Sequence, residues 1–391
     1  MGCGSRNVAT FISGYSRYYE NFSGLKIVRK FWRWVVSIRK ISFISALIAV
    51  FVVLSNLSFA EARQRDTKTL VLENGLAVLL IHDAEAHRSA AALAVGVGQI
   101  HDPAEKMGLA HYLEHMLFLG TKKFPEVGTF KKFLEENSGA SNAYTGSAVT
   151  NYFFQVSHAG FDGALDRFSQ FFQAPLFDKK YSAREVNAVN SEHDKNKRRD
   201  GWRGRQVAKL TYEAGHPARN FGTGNKDTLS GDNRPALLDF YKKFYAAPNM
   251  KLVFLSKLSL PKQEIIARKY FMGIPDSRVV LPAVDPDFRK PLAGKYRLLK
   301  IKTIKDIRSL SLEFPTIKLH DYIASRPQAH IGSVIGHEGK GSLLSKLKAE
   351  GLALGLSAGG GYGHKNMSTF SVSVQLTPKG ETEYERVLEI I

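Results

Sequence analysis

Two hydrophobic periods alternate along most of this 391-residue chain, and that alternation restricts its fold more than any other feature. Thr69–Leu72 and Leu76–Ile81 read as strands joined through Asn74-Gly75, a strong hairpin signal. Ala90–Val97, Asn151–Val156, Lys251–Leu255, Ser309–Phe314 and Ser368–Leu376 are further strand-like runs. Helical spacing falls between them. One helix is expected over Pro103–Leu119, stopped by Gly120. Phe161, Ala164, Leu165, Phe168, Phe171 and Phe172 mark a second, and the capping box Ser182-Ala-Arg-Glu185 should open a third. Gly341–Glu350 looks helical, and Gly359–Gly363 looks like a flexible turn. Both periods in each half imply an α+β architecture: an antiparallel or mixed sheet covered by helices.

The single cysteine, Cys3, excludes a disulfide framework and a zinc site built mainly of thiolates, so any transition-metal ligands must be His, Asp or Glu. Seven of the nineteen net positive charges lie in residues 1–40. No nucleic-acid-binding pattern accompanies the rest, and no nucleic-acid partner is expected. Gly336–Ser342 fails as a phosphate loop because Gly341 follows Lys340. Residues 41–59 are uncharged and apolar, follow Arg39-Lys40, and precede the small-residue sites Ser58-Phe59-Ala60 and Ala60-Glu61-Ala62. They read as an export signal, periplasmic or secretory, with an uncleaved membrane anchor as the alternative.

The chemistry centres on His111-Tyr-Leu-Glu114-His115. On a helix, residues four apart share one face, so both imidazoles can reach one ion. Glu114 lies beside them, where a carboxylate can take the proton of a metal-activated water. Glu192 is the best third ligand, 77 residues after His115 on the helix opened at Ser182. Glu185, two turns earlier on the same face, either caps that helix or supports the metal site. His216, His337 and His364 are extra ligands in principle and polar loop residues by default.

These residues, with Gly108–Thr121, Ser141–Thr145, Glu185–Asn196 and Gly336–Ser342, resemble signature blocks of the pitrilysin/insulysin (insulinase) family of inverted-motif zinc metallopeptidases. The resemblance implies one zinc ion per chain held by His111, His115 and Glu192, with Glu114 as general base and Glu185 supporting the histidines. It implies that Asn142 and Ala143 lie on an edge strand receiving peptide substrates by strand addition. It also implies a layout of homologous domains. Residues 1–62 form the basic export segment, 63–285 the catalytic domain and 286–300 a linker, signalled by the proline-rich stretch Pro282–Pro291. Residues 301–391 form a second, incomplete domain whose last helix, from Tyr384, has no stop. The expected function is hydrolysis of oligopeptides or small polypeptides. The alternatives are a non-catalytic peptide-binding or partner subunit, an inactive truncated fragment, or a membrane-anchored basic binding protein. The arginine and tyrosine that the second half of large members contributes have no counterpart here. A missing C-terminal half or a homologous subunit is therefore a possible partner, with zinc binding surviving better than turnover.

Overall fold

The computed structural model describes residues 65–281, 297–362 and 368–391. The export segment, Pro282, Pro286 and Pro291 with the linker up to residue 296, and His364 lie outside the described residues. Among the described residues, no helix is long and apolar enough to cross a membrane.

β1 (Asp66–Val71) and β2 (Ala77–His82) form the expected hairpin. Its loop carries Gly75 at φ +86°, with the Gly75 N–H donating to Leu72 O at 2.8 Å. A left-handed residue there suits glycine, which has no Cβ to clash. The Asn74 amide donates to Phe271 O and Ile274 O, tying the turn to a distant helix end.

β3 (Ser89–Val95), β4 (Ala140–Thr145), β5 (Thr150–Val156) and β6 (Met250–Ser256) complete a mixed six-stranded sheet of order β1-β2-β6-β3-β5-β4. Only the β2–β6 pair is parallel, and β4 is an edge. The helices of this lobe are α1 (Leu109–Leu117), α2 (Thr129–Glu136), α3 (Phe161–Ser169), α4 (Ser182–Lys197), α5 (Asp200–Lys209), α6 (Arg234–Phe244) and α7 (Leu260–Phe271). β5 alternates as its sequence does: Tyr152 and Phe154 are buried, while Phe153 between them is exposed. The buried face meets an aromatic layer in which Phe168 and Phe172 stand edge-to-face at 5.3 Å, as do Phe161 and Phe254 at 5.5 Å. Such pairs add about 0.5–1.5 kcal/mol each beyond the area they bury.

The second sheet joins β7 (Ser309–Thr316), β8 (Ala353–Tyr362) and β9 (Ser368–Leu376) in the antiparallel order β7-β9-β8. α8 (Pro327–Ile335) and α9 (Leu343–Ala349) lie between β7 and β8 in the chain, and α10 (Pro378–Thr382) and α11 (Tyr384–Ile390) follow β9. Leu344, Leu347, Val372, Val374 and Val387 form its own core. The order β7-β9-β8 repeats β3-β5-β4 of the first sheet.

Three local expectations need correction. The helix expected from Pro103 begins at Leu109, after a short 3-10 turn at Ala104–Lys106. Gly108, at φ +92°, breaks the path, and a Cβ there would stand 2.2 Å from Gly224 Cα. The capping box at Ser182 does not form: Ser182 already has helical angles, and its hydroxyl pairs with Tyr112 Oη at 2.7 Å. Gly359–Gly361 are strand, not turn, because α8 packs closely on β8, and a Cβ on Gly360 would meet Gln328 Cγ at 2.4 Å.

Candidate metal centre

α1 presents His111 and His115 one turn apart, and α4 packs against it carrying Glu192. His111 Nε2 lies 3.5 Å from one Glu192 oxygen, and His115 Nε2 lies 3.9 Å from the other. The ring planes are nearly perpendicular, at 84°. Among the described residues this is the one cluster of three or more donors able to converge on an ion.

The donor set fits a metal on two observations. His111 Nδ1 lies 2.7 Å from Thr223 O. A carbonyl can only accept, so Nδ1 carries the hydrogen and Nε2 turns its lone pair toward Glu192. His115 Nδ1 lies 3.4 Å from Glu185, where a carboxylate fixes the same tautomer. Ligands about 2.0–2.2 Å from a tetrahedral ion stand about 3.3–3.6 Å apart, a range that the 3.5 Å His111–Glu192 separation meets and the 3.9 Å His115–Glu192 separation exceeds by a few tenths of an ångström.

The two imidazoles are driven in opposite directions. Burial, then the neighbouring His115, lowers the His111 pKa. Burial also opposes charge on His115, but Glu185, Glu192 and Glu114 outweigh it and raise its pKa. The Glu185 carboxyl is held below its ordinary value chiefly by the His115 bond, although burial opposes this, with Arg184 contributing at 2.9 Å. Glu185 thus serves His115 rather than its own helix terminus.

Glu114 is buried on α1, and Thr145 Oγ1 donates to its Oε2 at 2.5 Å. Burial pushes its carboxyl upward, and the Thr145 bond partly offsets that. Thr145 is the last residue of β4, so one hydrogen bond couples the carboxylate to the edge strand. Asn142 is exposed on that strand and Ala143 is half-buried. β4 pairs with β5 on one side and with no strand on the other among the described residues. His216 lies elsewhere, accepting the Ala218 N–H at its own 3-10 turn, and neither it nor His337 joins the cluster.

Two supporting residues escaped the sequence reading. Thr223 lies 112 positions from His111, and its only local signal is the flanking Gly222 and Gly224. Asp102 accepts the N–H groups of Gly108 at 2.7 Å and Ala110 at 2.8 Å, and so anchors a helix that has no side-chain cap of its own. Burial pushes its carboxyl up to about 7 despite those bonds. A folded value above the unfolded one means that its contribution is fully present at acid pH and is lost as pH rises through 7. The stability of the metal-free protein relative to Asp102→Asn should therefore fall between pH 4 and 7, by up to ~1.4 kcal/mol per unit. Urea unfolding of both proteins across that range checks it, and a difference that grows with pH refutes it.

Residues 77–215 match the family described as Insulinase (Peptidase family M16), and residues 233–391 match Peptidase M16 inactive domain. The insulin-degrading enzyme of Homo sapiens is 42% identical over 332 residues, covering 83% of this chain and 32% of that protein. The A-factor-processing enzyme of Saccharomyces cerevisiae is 39% identical over 345 residues, covering 86% and 34%. In structure, pitrilysin superposes with a TM-score of 0.74 at 32% identity, over 84% of this chain and 36% of the other. The chain spans about a third of the length of the curated relatives it matches.

Proposed function

The chain belongs to the insulinase family, peptidase family M16, and on that footing we propose that it is a zinc-dependent endopeptidase that hydrolyses oligopeptides or small polypeptides. The observation that carries this reading is the convergence of His111, His115 and Glu192 beside a buried Glu114 that is bonded to an edge strand. We assign His111, His115 and Glu192 as the residues that hold the ion.

Held there, a zinc ion would supply Lewis acidity, making a water more acidic and polarising the scissile carbonyl. β4 holds the peptide as an added antiparallel strand, and backbone bonds near Asn142 and Ala143 place the carbonyl. Glu114 takes a proton from the attacking water as the new C–O bond forms. It then passes that proton to the amide nitrogen as the C–N bond breaks, so that carboxyl and amine leave neutralised overall. Burial makes Glu114 a stronger base than a solvated carboxylate, and the Thr145 bond to Oε2 leaves Oε1 for the proton. Thr223 and Glu185 keep the two imidazoles in the tautomer that faces the ion.

The same reading places the protein outside the cytoplasm, exported or held at a membrane by residues 41–59, on the strength of the leader composition alone. The test is cleavage of a quenched fluorescent peptide by the full chain. Cleavage that stops with a chelator and returns with zinc is expected. One bound metal per chain with no cleavage would instead favour the second reading, a peptide-binding or partner-dependent subunit.

A further inference from the structure

We propose that the end of α4, α5 and the segment 297–308 form one cationic strip that docks acidic stretches of the peptide substrate, an inference that rests on the peptidase reading above. Between residues 65 and 281, Lys and Arg outnumber Asp and Glu by 30 to 23, and residues 195–209 alone account for six of the seven excess charges. That stretch holds seven basic residues and one acid, Asp200. Residues 297–308 add five basic residues against Asp306.

The fold joins the two stretches. The Asp200 carboxylate accepts the N–H groups of Ile304 at 2.8 Å and Lys305 at 3.1 Å, Arg203 donates to Lys302 O, and Arg297 donates to Thr211 O. The acid of the first stretch is thereby spent on backbone; Lys197 pairs with Asp194 at 2.7 Å and Arg308 with Asp306 and Glu381, and the remaining cations of the two stretches are in excess. Lys195, Arg198, Arg199, Lys302 and Lys305 are exposed.

A basic run is ordinarily no more than a solvated helix face. Two features argue for a site here. Segments about a hundred residues apart bring like charges together, which builds a positive field at the cost of mutual repulsion. The strip also begins at the metal centre. Lys195 is one turn beyond Glu192 on α4, about 4.5 Å along the axis, and Arg198 lies about 9 Å along. An extended peptide advances about 3.3 Å per residue, so acidic residues from roughly one to three positions from the cleaved bond lie level with Lys195 and Arg198. Nucleic acid fits less well. The only aromatic residue in either stretch is Trp202, which is half-buried with Arg205 4.6 Å from its ring, so no row of rings is offered for bases to stack on.

The test is peptide binding to the metal-loaded full chain carrying Glu114→Gln, read by fluorescence anisotropy so that cleavage plays no part. The probes are an Asp/Glu-rich peptide, its Asn/Gln counterpart and a single-stranded oligonucleotide of the same length. The acidic peptide should bind at least about tenfold more tightly than its amide counterpart at low salt, as electrostatic capture requires. The preference should fade toward 1 M salt, where the Debye length shrinks to about 3 Å. Lys195→Glu/Arg198→Glu/Arg199→Glu should abolish it, while Lys242→Glu/Lys243→Glu on α6 should not. Equal affinity for both peptides, a preference that survives the triple change, or tighter binding of the oligonucleotide would overturn the proposal. Failure of the peptidase reading shows separately, as wild-type chain that does not cleave with zinc bound.

Discussion

Glu114→Gln should lower zinc-dependent peptide cleavage by about 10²–10⁴-fold, the range that a positioned general acid–base supplies, while metal content stays at that of the wild type. The substitution is nearly isosteric, and a glutamine carbonyl can still accept the Thr145 hydroxyl that now lies 2.5 Å from Oε2. What it removes is the capacity to carry a proton. Burial already disfavours charge on Glu114, so neutralising it should not destabilise the fold. Loss of activity therefore cannot be blamed on unfolding if the thermal midpoint is unchanged. Progress curves with one quenched peptide, together with metal analysis of both proteins, settle the matter. A loss below about tenfold would make Glu114 a packing residue and leave the proton transfer to another group.

The spacing of His111, Glu114 and His115 was readable because helix geometry alone puts positions three and four apart on one face, whatever the rest of the chain does. Glu185 was ambiguous for an equally physical reason: as third residue of a capping pattern it had a local partner available. The structure resolves this through Tyr112, whose hydroxyl occupies Ser182 and leaves Glu185 to reach His115. Asp102 and Thr223 were not readable: Asp102 holds backbone N–H groups across a left-handed turn, Thr223 offers its own carbonyl to His111 from a glycine-flanked position, and no periodicity reports either contact. Gly359–Gly361 misled because a glycine run usually signals a turn, whereas here it lets α8 approach a strand.

The second lobe separates fold from chemistry. Gly108, His111, Glu114, His115 and Gly120 have counterparts at the same offsets in Gly339, Ser342, Ser345, Lys346 and Gly351. Leu344 and Leu347 there are buried as Leu113 and Met116 are, and β7-β9-β8 repeats β3-β5-β4. The apolar spacing that packs the helix on its sheet is retained. The two imidazole donors and the base carboxylate are replaced by two hydroxyls and a cation, and Ser342 Oγ accepts the Ser345 N–H instead. A repeated core thus carries one candidate centre, not two.

That asymmetry sharpens the expected effect of deleting a donor. His111→Ala should abolish stoichiometric zinc binding, with a fall in affinity larger than the roughly 10–100-fold that losing a supporting partner such as Glu185 costs. Glu192→Ala should do the same, because two imidazoles without the carboxylate lack the third protein ligand that catalytic zinc sites use. His193→Ala, one residue away, should leave zinc binding intact, since its ring packs against Phe221 at 4.7 Å and is not among the converging donors. Competition titration against a chromogenic chelator measures all three, and the rise in thermal midpoint with added zinc gives an independent readout that requires no activity. Zinc bound at wild-type affinity by His111→Ala would place the ion elsewhere and remove the basis of the mechanism. Loss in His111→Ala and Glu192→Ala with retention in His193→Ala would tie the ion to the α1–α4 pair, as the 3.5 Å and 3.9 Å separations require.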